Sequence, residues 1–92
     1  MDPNAVVSPK SRIKDVRVIY TDKEDGFSIA TLVLDGNKNR VAMRWDGDEN
    51  GLGFPVSRGR ATWFIIPKII AMSFAKQINN VAMQQRIASC DD

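Results

Sequence analysis

Histidine is absent from this 92-residue chain. With it go the commonest general acid–base group, the histidine-dependent nucleophilic triads and the imidazole metal sites. Cysteine occurs once, as Cys90, so no internal disulfide can form and the composition fits a reducing compartment. No apolar run approaches the ~20 residues of a membrane-spanning helix. Met1-Asp2-Pro3-Asn4 has neither a basic opening nor a long apolar segment, so it does not read as a signal peptide. A cytoplasmic protein without membrane attachment is the expectation. One sign of charge is also scarce. Residues 50–90 contain Arg58, Arg60, Lys68, Lys76 and Arg86 and no acid. Residues 1–49 contain eight basic and nine acidic side chains, so a net charge of only +2 conceals a basic second half. That asymmetry places a positive field over one side of the fold. The plainer reading is that five cations solvate a helix and a turn.

The residues that are present describe one small domain. A domain of this length buries a modest core, and dimerisation is a common supplement. Residues 1–11 lack periodicity and read as a disordered N-terminal tail, 12–89 as a single α+β domain, and 90–92 as a C-terminal tail. Between 13 and 21, Val16, Val18 and Tyr20 alternate with Asp15, Arg17 and Ile19, the pattern of a half-buried strand. Residues 27–35 are apolar on both faces, which suits an inner strand. Asp35-Gly36-Asn37 then signals a hairpin. In 39–46, Val41, Met43 and Trp45 share a dry face, opposite Arg40, Ala42, Arg44 and Asp46 on a wet, basic one. Glycines and a proline make 46–56 a loop.

The stretch from Ser57 to Pro67 is the hub of this reading. Arg58, Gly59 and Arg60 form a basic turn, and residues 61–66 a fourth strand covered on both faces. Pro67 stops the strand and opens a helix over 67–88. Ile70, Phe74, Ile78 and Val81 form the stripe expected to lie on the sheet, with Phe74 buried mid-stripe. Ile69, Met72 and Met83 fall beside it and are expected to form a homodimer contact. The predicted architecture is a four-stranded antiparallel sheet followed by one C-terminal helix packed on one face, β-β-β-β-α.

The candidate chemistry is sparse. Cys90 sits in an expected fraying end before two aspartates, the opposite of the positive pocket that activates a thiol. Ser57 and Thr62 have no base beside them. No catalytic residue, metal or cofactor is assigned. Asp46-Gly47-Asp48-Glu49-Asn50-Gly51 copies the first half of a calcium loop, but position twelve is Ser57 instead of a bidentate glutamate, and the run reads as a turn. The constellation carried forward is Arg40, Arg44, Arg58 and Arg60 with Phe54 and Trp63. Cations beside exposed aromatics hold phosphates and stack bases in single-strand binders. The competing reading puts the tryptophans in the core; for Trp45, which shares a face with Val41 and Met43, that is the expectation, and Trp63 stands between the two.

The order of elements over 13–88 is similar to the small coactivator-type single-stranded-DNA-binding domains, which dimerise through their helices. That resemblance implies a homodimer and carries no residue across. The expectation is a non-catalytic module binding single-stranded nucleic acid with weak specificity. The alternative is a protein–protein interaction module, an inhibitor or adaptor docking on an acidic partner.

Overall fold

The three alternating segments form strands β1 (Ile13–Asp22), β2 (Phe27–Leu34) and β3 (Lys38–Trp45) in a computed structural model that describes residues 1–91. Two short strands, β4 (Val56–Ser57) and β5 (Arg60–Ala61), make a separate hairpin before β6 (Phe64–Ile66). The main sheet is antiparallel in the order β1-β2-β3-β6. β2 is an inner strand, as its two-faced apolar sequence requires, with Ile29, Ala30 and Leu32 all buried. β1 is an edge strand interrupted by two irregularities, one around Asp15 at φ +54°. Charges and bulges on an edge discourage pairing with another chain.

The expected single helix is two. α1 covers Lys68–Gln77 and α2 covers Val81–Ala88. Asn79 adopts φ +56°, and the Asn80 amide donates to the Ala75 carbonyl at 3.0 Å while the Asn79 amide donates to Lys76 at 3.1 Å. This pair of bonds closes α1 with a Schellman motif. Asn80 Oδ1 then accepts from the Met83 amide at 3.0 Å and caps α2. Asparagine tolerates the left-handed conformation and is a strong N-cap, so Asn79-Asn80 ends one helix and begins the next.

The break re-aims the apolar faces. Ala71 and Ala75 meet the sheet, joined by Met83 and Ile87 of α2, over Ile29 and Val41. The stripe expected in the core lies on the flank: Ile70 is 56% exposed and Val81 62%. Phe74 is half-buried, edge-on to Tyr20 at 5.2 Å and to Phe27 at 6.0 Å. The small alanines allow the backbone of α1 to approach the sheet, which leaves the larger isoleucines outside. Met83, expected at a dimer contact, is 1% exposed and belongs to the core.

The second face of the sheet is covered too. Residues 1–11, expected to be disordered, cross it as an ordered arm with a 3₁₀ turn at Pro3–Ala5. Val6 of this arm is 1% exposed among Ala30, Leu32, Ala42 and Trp63. Of the expected C-terminal tail, 90–92, Asp92 lies outside the described residues, and the other two are held: Cys90 is buried, and Asp91 exchanges hydrogen bonds with Asn39 through its amide at 2.7 Å and its carboxylate at 2.9 Å. Lys68 Nζ donates to the Ala88 and Cys90 carbonyls at 3.1 and 2.9 Å, a cation at a helix C-terminus. Burial pushes the Cys90 thiol above its ordinary range; Lys68 pulls back and Asp91 adds to the push. No helix among the described residues is long and apolar enough to cross a membrane.

The two helix faces give a direct test. Ala75→Leu should destabilise the protein by about 1–3 kcal/mol through overpacking. Ile70→Ser should stay within about 0.5 kcal/mol. Urea denaturation of the two variants measures the contrast, and the reverse order would mean that α1 is rotated.

Candidate anion-binding groove

Arg44 and Trp63, two of the six residues singled out in the sequence, are interior. Arg44 is 0% exposed. Its guanidinium donates to the carbonyls of Thr62 at 2.6 Å, Trp45 at 3.1 Å and Leu52. Its Nε lies 3.4 Å from Asp46 Oδ1, an ion pair without hydrogen-bond geometry. Asp46 is itself buried and accepts from the Ser28 hydroxyl at 2.6 Å. Burial lowers the Arg44 pKa, and Asp46 opposes that shift. The strand-three face expected to be wet is therefore sealed, and Arg44 cannot meet a ligand. Asp46, the first position of the calcium-like run, is spent on this network. Asp48 instead accepts from the Asn50 amide at 3.0 Å, a tight Asx turn.

Trp63 is 8% exposed, and its indole N–H donates to the Val6 carbonyl at 2.8 Å. That bond settles the tryptophan in the core and explains why the N-terminal arm is ordered. Trp45, expected in the core, is 46% exposed. It pairs with Phe54 by a backbone bridge, and the Phe54 ring lies 5.3 Å from that of Phe64. Phe64 faces the helix side with Met43, its partner across the ladder. Phe54, 56% exposed, thus belongs to an aromatic strip on the helix side. Arg40 is half-buried, with its Nε sealed from solvent and without a hydrogen-bond partner.

Arg58 and Arg60 are exposed and stay together. A two-residue turn joins β4 to β5, with Arg58 at φ +53° and Gly59 at φ +77°. Positive φ at both central positions is the hairpin geometry whose twist matches the strands. The hairpin faces the arm across a groove of about 610 Å³. Its walls include Lys10, Arg12, Arg58 and Arg60, together with Ser8, Ser11, Ser57 and Thr62, and no acid. Four cationic and four hydroxyl side chains make a surface suited to an oxyanion. Arg12 is engaged already: Nε and one terminal nitrogen donate to the two Asp35 oxygens at 3.0 and 3.1 Å. These bonds hold the Asp35 carboxyl below its usual range. Among the described residues, Lys10, Arg58 and Arg60 have no ion-pair partner.

Lys10 was missed because it lies in the segment assigned to the tail, and Arg12 because it stands at the junction between that segment and the first strand. The available signal was Val6-Val7 ahead of Pro9, an apolar anchor too short for periodicity to register. No family model, curated protein or solved structure matches this chain significantly.

The loop between β3 and the hairpin is built around Arg44. Gly53, at φ +65°, passes so close to the Trp45 carbonyl and the Arg44 guanidinium that a Cβ would collide with both. A Cβ on Gly47 would lie 2.8 Å from the Gly53 amide nitrogen. Arg44→Met should cost about 3–5 kcal/mol, because Asp46 is left buried without its counter-ion. The double variant Arg44→Met, Asp46→Asn should lose less than the two single losses added together. Chemical denaturation of the four proteins checks the coupling.

Proposed function

We infer that this is a small non-catalytic module that binds single-stranded nucleic acid with weak specificity. The observation that carries this reading is the acid-free groove, where unpaired Lys10, Arg58 and Arg60 converge from two parts of the chain. Cations spaced along a groove track a phosphate backbone without reading bases. The residues assigned to the contact are therefore Lys10, Arg58 and Arg60, with Arg12 held in reserve by Asp35. A second reading, a protein-interaction module and a homodimer, has its own observation. Trp45, Phe54 and Phe64 are 40–56% exposed in one strip beside the outermost strand of the sheet.

A labelled oligonucleotide titrated at several salt concentrations tests the inference. Three engaged cations on a single strand give a slope of log affinity against log salt near −2, at about −0.7 per contact. Arg58→Ala with Arg60→Ala should flatten the slope to about −0.7. Absence of binding at low salt would transfer the assignment to the protein-interaction reading.

A further inference from the structure

The basic groove opens into a second, smaller space. A pit of about 110 Å³ shares Ser8, Pro9 and Arg12 with it. The remaining walls of the pit are Ile13, Leu34, Trp63 and Ile65, all apolar. At about 30 Å³ per water, the pit has room for some four waters or one planar ring system. The two compartments differ sharply in chemistry and meet at Arg12. A free phosphate needs only the groove, and so does a strand held by its backbone alone. Only a ligand with an anion at one end and a flat, largely apolar group beside it matches both.

We propose that groove and pit together form a single-nucleotide site. The phosphate seats in the groove lined by Lys10, Arg58 and Arg60, which also hold the neighbouring phosphates of a strand, and the base enters the pit between the arm and β6. The assignment of the phosphate rests on the nucleic-acid reading above; the assignment of the base rests on the pit alone. Because the pit at Arg12 takes a single base, one nucleotide dominates the binding, and lengthening a strand adds groove contacts. Asp35 limits the site by holding the Arg12 guanidinium at the seam through two hydrogen bonds. An asparagine at 35 has no charge to retain it and tolerates the φ of +50° found there.

The test uses the full chain with three competitors against a labelled oligonucleotide: adenosine monophosphate, adenosine and inorganic phosphate. Direct titration of each competitor is followed by the NMR signal of the indole N–H of Trp63, a residue that lines the pit. Adenosine monophosphate should displace the strand, bind at least tenfold more tightly than inorganic phosphate and shift the Trp63 signal. Leu34→Phe, which fills the pit, should bring the ratio of the two affinities close to one. Asp35→Asn, at a surface turn away from the core, should raise the affinity for adenosine monophosphate about threefold or more. Equal affinities for adenosine monophosphate and phosphate in the wild type, with an unmoved Trp63 signal, would overturn the single-nucleotide site while leaving strand binding intact. Binding of adenosine monophosphate without strand binding would overturn the nucleic-acid reading and keep the site. If Leu34→Phe does not fold, the wild-type ratio and Asp35→Asn still decide: an unchanged affinity in Asp35→Asn contradicts the role given to Arg12.

Discussion

A charged side chain sealed inside the protein dictates how the second half of the chain is laid out. A buried guanidinium is tolerable only where its donors and its charge are both met. Arg44 meets this demand with three carbonyls drawn from β3, from the glycine-rich loop and from the segment that returns after the hairpin. One side chain thus ties both ends of the excursion from 46 to 62. The glycines follow from the same demand, since the loop must run against the guanidinium with no room for a Cβ at Gly53. Asp46 supplies the opposite charge and is itself fixed by Ser28, whose hydroxyl also lies 3.0 Å from that of Thr21.

The basic groove is a consequence of this interior. With the excursion pinned at Leu52 and Thr62, the β4–β5 hairpin carries Arg58 and Arg60 over the sheet face opposite the helices. The arm reaches the same face because Val6 fills it and the Trp63 indole needs an acceptor there. Two segments that share no regular sheet pairing with each other are thereby brought edge to edge. Their cations line one groove, while the counter-charge of Arg12 sits in the β2–β3 turn. The helices take no part in this site. They cover the other face with alanines, and their larger apolar residues are left to the flank.

The sequence spoke clearly where a period was long enough to count. β1, β2 and β3 lie within a residue or two of their expected spans, and the Asp35-Gly36 and Arg58-Gly59 turns occur where glycine announced them. It misled where one residue type serves two purposes. Arg40 and Arg44 alternate correctly with Val41 and Met43, but alternation assigns a face and not its exposure. Arg44 became core because local carbonyls satisfy it, which no pattern of polarity encodes. The apolar period across 70–81 runs straight through Asn79-Asn80, the cap residues that divide the helix. Trp45, expected in the core, lies at the surface, and Trp63, which stood between core and surface, is core because it gained an acceptor from a segment taken to be loose. The groove was half legible: the hairpin arginines stood out, whereas Lys10 and Arg12 needed the arm to be placed first.

Buried Arg44, bonded to the Leu52 and Thr62 carbonyls, holds the β4–β5 hairpin in place. Native-state hydrogen exchange on Arg44→Met and on the unsubstituted protein measures it most directly. In Arg44→Met, amides from Leu52 to Thr62 should lose protection by a larger factor than those of the β1–β2 ladder. Equal loss across the sheet, or unchanged protection at Thr62, would contradict it.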